Sequence, residues 1–191
     1  MLERGFSPNV RTFTAVVTAY AKVGDIDGAA CTMLAMQSCG ITADTVTYSS
    51  LLDACAKKGD IECAQKIFAL MQQQNVQPNI VSYTSLARAF AKKGMWHEVE
   101  LLGSSLEQDG LFVNDFFLYA LLLAYAHAMP KQAARAEATF VRFVQSGQIR
   151  INKHIISGLH RAVGHTRTKQ LLRKAEGCQC TPEFVSLHRS S

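Results

Sequence analysis

The sequence predicts an all-α fold, an α-α superhelix (solenoid) of stacked helix-turn-helix repeats. Three observations carry this expectation. Gly24, Gly59 and Gly94 recur at a spacing of 35 residues, as do Ala19, Ala54, Ala89 and Ala124 and the aromatic series Phe13, Tyr48 and Tyr83. Residues 45–79 share ten identities with 10–44 and eleven with 80–114, where average amino-acid usage gives roughly two. Within each period the apolar residues follow helical rather than alternating spacing.

Each period reads as two short helices. In the first repeat, 10–44, Gly24 stops one helix and Asp25 caps the next, which carries Ile26, Ala29, Met33 and Met36. The second repeat, 45–79, shows the pattern most fully. Tyr48, Leu51, Leu52 and Cys55 form a stripe, Gly59 and Asp60 make the stop and the cap, and Ile61, Ala64, Ile67, Phe68 and Met71 form the second stripe. Val76-Gln77-Pro78-Asn79 then breaks the chain direction. The third repeat, 80–114, keeps this register. The fourth, 115–152, gains two residues around Met129-Pro130-Lys131 and one before Asn152. A degenerate basic fifth unit, 153–177, aligns Leu159-His160-Arg161-Ala162 with Leu86-Ala87-Arg88-Ala89, and its second helix is expected to start at Gln170. Residues 178–191 read as a tail. Met1 shares the phase of Met36 and Met71, so residues 1–9 read as the end of a preceding repeat and the chain as a piece of a longer array.

The composition fits a packed array: 191 residues, 48% hydrophobic, 12 Gly and 4 Pro exclude collagen and low-complexity classes. The longest apolar run, 116–126, is eleven residues, whereas a spanning helix needs roughly twenty, so no membrane partner is expected. Six cysteines without a CxxC pair or a dense framework read as reduced, small core residues. No signal peptide or presequence opens the chain, which places any import signal upstream. The net charge of +5 is uneven: residues 1–147 hold 12 Lys and Arg against 13 Asp and Glu, while 148–174 hold seven basic residues and no acid.

A two-helix unit cannot bury its stripe alone, so neighbours stack and leave an extended wall on which function is expected to lie. The face of each first helix opposite its aromatic stripe carries Arg11, Thr14, Thr18 and Lys22; then Val46, Ser49, Asp53 and Lys57; then Val81, Thr84, Arg88 and Lys92. A short amide or carboxylate ends each loop at Asn9, Asp44, Asn79, Asn114 and Asn152. Any one of these could be an ordinary cap. Their recurrence as a set favours a surface that reads a repeating ligand.

With these residues in view the sequence resembles the pentatricopeptide repeat (PPR) family. The carriers are the 35-residue period, the run from Val46 to Gly59 (VTYSSLLDACAKKG) and Val76-Gln77-Pro78-Asn79; the tetratricopeptide period of 34 and its Trp-Leu-Gly-Tyr pattern are absent. The resemblance implies single-stranded RNA as the partner, with each repeat reading one base through a side chain early in its first helix and the last residue of the repeat. The implied pairs are Thr14 with Asp44, Ser49 with Asn79 and Thr84 with Asn114, giving a preference for 5′-GAA-3′ along a ladder open to solvent. Val46 and Val81, with Phe116 and the divergent Arg11, match base-sandwiching positions, and Lys22, Lys57 and Lys92 match phosphate-facing ones. Tyr119 with Asn152 falls outside the usual combinations and receives no base. The family also implies a mitochondrial or plastid setting, with RNA-processing or translation factors as further partners.

No catalytic residue, metal ligand, cofactor or small-molecule substrate is expected. The His-x-Glu and Cys-x-x-Cys motifs of deaminase-like domains are missing, and His97-Glu98 has the wrong spacing. Cys178, Cys180 and the histidines of the C-terminal part do not match closed zinc spacing. A second reading stays open, in which the same wall makes the chain a protein-binding α-solenoid scaffold or an organellar ribosome-associated component.

Overall fold

The structure, a computed structural model, describes residues 9–177. The expected stub before Asn9 and the tail with Cys178 and Cys180 lie outside the described residues. Ten α-helices follow in five hairpins: α1 (Val10–Val23) and α2 (Ile26–Ser38), α3 (Thr45–Lys58) and α4 (Ile61–Gln73), α5 (Ile80–Lys92) and α6 (Trp96–Gln108), α7 (Asp115–His127) and α8 (Ala133–Gln145), α9 (Lys153–Val163) and α10 (His165–Gly177). No strand occurs among the described residues.

The first two hairpin turns follow the chemistry expected of them. Gly59 adopts φ 79°, which closes α3, and its N–H donates to Cys55 O at 2.8 Å. Asp60 then accepts from the Cys63 N–H at 3.0 Å and starts α4. Gly24 and Asp25 repeat this arrangement between α1 and α2.

Successive first helices α1, α3, α5, α7 and α9 pack side by side and form an inner row, while each second helix packs on its own partner and on the following first helix. Tyr48, Tyr83 and Tyr125, the stripe positions of the inner row, are almost fully buried. Leu52, Leu86, Phe117, Leu118 and Leu122 form one core with the outer Phe68, Leu106 and Phe140, and Val17, Met33, Met36, Tyr48, Leu51 and Met71 form a second core at the amino end. Each Leu or Phe so buried contributes roughly 1.5–3 kcal/mol. The apolar run 116–126 lies in α7, where neighbours on several sides bury eight residues of the helix. Among the described residues no helix is long and apolar enough to cross a membrane.

Two expectations change. The last helix starts at His165, not Gln170. Its first turn is polar in sequence, yet Thr168 is fully buried with its hydroxyl donating to Gly164 O at 2.8 Å, so a self-satisfied threonine takes the place of an apolar residue. Cys31 and Cys39 are exposed rather than core, Cys55 is buried and Cys63 is half-buried. The second helices bury only a narrow stripe, which leaves 31 and 39 on the outside.

Candidate nucleic-acid interface

Helix starts place the polar ladder. Asn9, Asp44, Asn79, Asn114 and Asn152 all have extended backbone and each accepts, through its side chain, the N–H three residues on. The residues expected at the repeat ends are therefore also N-caps, each worth about 1 kcal/mol. Capping uses Oδ1. The other terminal atom of Asp44, Asn79 and Asn114 takes no part in the cap. At Asn152 the amide Nδ2 is engaged, donating to Asp115 Oδ2 at 2.6 Å.

The structure brings together two of the expected pairs through a residue that the sequence did not single out. Thr14 Oγ1 lies 2.7 Å from Thr47 Oγ1, which donates to Asp44 Oδ1 at 2.7 Å. Ser49 Oγ lies 2.9 Å from Ser82 Oγ, which donates to Asn79 Oδ1 at 3.2 Å. One hydroxyl from the next inner helix thus joins each pair. A carboxylate only accepts, so Thr47 directs its proton to Asp44 and Thr14 directs its own toward Thr47 or toward Val10 O, 2.8 Å away. Lone pairs then remain on the Thr14 hydroxyl. The third pair differs: Phe117 stands where Thr47 and Ser82 stand, and Thr84 donates to Ile80 O at 2.6 Å.

The ladder is more enclosed than the open one expected. Asp44 is exposed, while Thr14, Asn79 and Asn114 are half-buried and Ser49 and Thr84 retain 7% and 8% of their surface. These short side chains sit where adjacent inner helices pack. Beside them Val46, Val81 and Phe116 keep 58%, 51% and 54% of their surface at one register. Core packing does not account for three exposed apolar residues at equivalent positions. Arg11 is exposed at the same register, and His154 continues it with its ring centroid 6.1 Å from that of Phe116.

Charges tie the row together further along each helix. Asp53 accepts from Arg88 Nη1 at 2.8 Å and pairs with Lys57 Nζ at 2.7 Å. Lys92 Nζ donates to Lys57 O at 2.6 Å, and His127 Nδ1 lies 2.9 Å from Ala91 O. Lys22 is exposed in the last turn of α1. Of the three expected phosphate-facing lysines, Lys92 thus also braces the preceding repeat, while Lys57 is held within α3 by Asp53, which offsets part of its charge. Toward α10, His160 and His165 stand 4.8 Å apart. Partial burial, then His165 and Lys169, hold the His160 pKa below the ordinary imidazole value.

Thr47 and Ser82 are the members that sequence reasoning left out of the site, and Asp53 and Arg88 stood on the wall without an assigned role. The recurrence of Thr12, Thr47 and Ser82 at 35-residue spacing was the available signal. Among the described residues no three His, Cys, Asp or Glu side chains cluster as a metal site.

The chain is thus a solenoid of helical hairpins with a periodic polar ladder along its inner row. Models of the PPR repeat family match residues 8–57 and 43–92, and the PPR repeat model matches 81–111. Together these matches span more than half of the sequence, and the chain belongs to the pentatricopeptide repeat family. Among solved structures it is similar to the pentatricopeptide repeat protein PPR10 from maize, with 24% identity and a TM-score of 0.71 over 92% of this chain. It is also similar to PPR10 in complex with an 18-nt psaJ RNA element, with 24% identity and a TM-score of 0.72 over 93% of this chain. The chain spans about a quarter of PPR10, 25% and 26% in the two structures. The PPR domain of Arabidopsis thaliana protein-only RNase P 1, solved with tRNA, is 17% identical with a TM-score of 0.68, over 85% of this chain and 84% of that domain. No curated protein matches the sequence.

Proposed function

We propose that the inner row binds single-stranded RNA at one base per repeat, that Thr14/Asp44, Ser49/Asn79 and Thr84/Asn114 prefer 5′-GAA-3′, and that the chain serves organellar RNA processing, stabilisation or translation. The action is binding rather than catalysis, with processing or translation factors as partners and a mitochondrion or plastid as the setting. The observation that carries this reading is the coincidence, at one register, of hydroxyl and amide or carboxylate pairs with the exposed Val46, Val81 and Phe116. An unstacked base offers hydrogen-bonding edges to the first set and flat faces to the second. The RNA-bound states of PPR10 and of the RNase P domain support it.

Stacking contributes roughly 1–3 kcal/mol per base, so three readers favour certain triplets without defining a unique transcript. Selection of randomised single-stranded RNA on this protein is expected to enrich GAA. Absence of enrichment by a protein with intact helical circular dichroism would overturn base reading and turn attention to a protein ligand for the same wall.

The charge arrangement gives a second expectation. Asp53→Asn removes the acid shared by Lys57 and Arg88, so RNA affinity should rise by on the order of 1 kcal/mol, roughly fivefold. The salt dependence should steepen toward one more phosphate, a slope change of about 0.7. The ion pairs are partly exposed, so stability should fall by less than about 1 kcal/mol. Fluorescence anisotropy across a salt series checks this; an unchanged affinity would remove Lys57 and Arg88 from the RNA path.

A further inference from the structure

Cys55 on α3 and Cys63 on α4 face each other across one hairpin, with the Cys55 thiol donating to Cys63 Sγ at 3.3 Å. Their place is a slot that the fold builds deliberately narrow. One repeat earlier the equivalent positions are Tyr20 and Gly28, and a Cβ on Gly28 would stand 2.7 Å from the tyrosine ring. Where that repeat fills the slot with an aromatic ring against a bare backbone, the second repeat fills it with two sulfur atoms. Cys55 is buried and Cys63 half-buried, so a small oxidant reaches the second first.

We propose that Cys55 and Cys63 are a modification site, a dithiol that a hydroperoxide converts to an intramolecular disulfide stapling α3 to α4. The Cys63 thiolate attacks one peroxide oxygen, the O–O bond breaks, and hydroxide leaves and takes up a proton to become water. Cys63 is then a sulfenic acid. The Cys55 sulfur attacks the Cys63 sulfur, the S–O bond breaks, and the departing hydroxide takes the Cys55 proton as a second water. Two thiols are oxidised and one peroxide is reduced to two waters. The sulfur atoms must close from 3.3 Å to about 2.05 Å. Burial pushes the Cys55 thiol up from its ordinary pKa, with Cys63 adding to the shift, which leaves the half-buried Cys63 as the first of the two to react.

The test uses the full chain with Cys31, Cys39, Cys178 and Cys180 replaced by serine, so that only this pair remains. Stoichiometric hydrogen peroxide is expected to remove two hydrogens from the monomer mass, protect both thiols from alkylation, and link the tryptic peptide 23–57 to 59–66. Dithiothreitol should reverse all three. Cys63→Ser in the same background should keep its helical circular dichroism and leave Cys55 as a free thiol after peroxide. Alkylation of both cysteines after peroxide, Cys63 sulfinic acid beside free Cys55, or linkage between two chains would each overturn the proposal. RNA binding plays no part in the readout.

Discussion

Gly94→Ala is expected to lower the unfolding free energy by roughly 3–5 kcal/mol, against about 1–2 kcal/mol for Gly24→Ala. The two glycines occupy the same phase and both have positive φ, 69° and 78°. Around Gly24 nothing stands within 4 Å of a Cβ, so alanine there meets only the backbone cost of the left-handed region. At Gly94 the same atom would fall 2.5 Å from His127 O and 2.8 Å from Ala128 N. Those are main-chain atoms of the next inner helix, which cannot swing aside as a side chain could. The end of α7 must move, and with it the His127 to Ala91 link. Because stability in a repeat array is nearly a sum of units and junctions, the Gly94 variant should also lose cooperativity, with the first three repeats and the last two unfolding separately. Urea titrations followed by circular dichroism check this, and equal shifts for the two variants would contradict it.

Asp44→Asn is expected to move preference at one RNA position from G to A by roughly tenfold, on the order of 1.4 kcal/mol, while the next two positions keep theirs. The substitution is clean for a structural reason. Asp44 caps α3 through Oδ1, which accepts from the Thr47 N–H at 2.8 Å and the Thr47 hydroxyl at 2.7 Å. An asparagine Oδ1 makes both bonds, and Asp and Asn cap about equally well. What changes is the second terminal atom, from an acceptor to a donor. Asn79 already holds that state in the following repeat, with Oδ1 on Val81 N, Ser82 N and the Ser82 hydroxyl. Anisotropy with RNAs varied at one base distinguishes the outcomes. Equal loss at all three positions would mean that the repeats do not read independently.

The turns of the first two hairpins, the inner row and the caps of its helices were legible in the sequence because each depends on chemistry local to a few residues, whereas the start of α10 was not. Gly59 with Asp60 fixes a turn wherever its neighbours lie, and Tyr48 with Leu51, Leu52 and Cys55 fixes which side is buried. What escaped depends on contacts between repeats. The chain around Gly94, with Lys93 before it and Met95 after it, does not reveal its crowding; what crowds it and leaves Gly24 open is the backbone of His127, about one repeat away. The bridging hydroxyls of Thr47 and Ser82 sit at ordinary third positions of their helices, and become part of the ladder only because Thr14 and Ser49 arrive from the preceding repeat. Cys55 and Cys63 looked like separate small apolar residues because the seven residues between them include a reversal of direction.

The two edges of the solenoid are not held alike. The inner helices pack directly on one another along the whole row and are joined by the Thr14–Thr47, Ser49–Ser82 and Asp53–Arg88 contacts as well, whereas the backbones of α6 and α8 stand apart over a groove of about 370 Å³. Across that gap Arg135 reaches Glu100 at 3.3 Å, and Arg167 holds Glu137 from α10 to α8. Such an object bends like the spine of a book: the bound edge keeps its spacing while the free edge fans or closes, and ionic clasps at the rim resist only weakly. Changes of pitch therefore cost little and leave the spacing of the reading positions nearly constant.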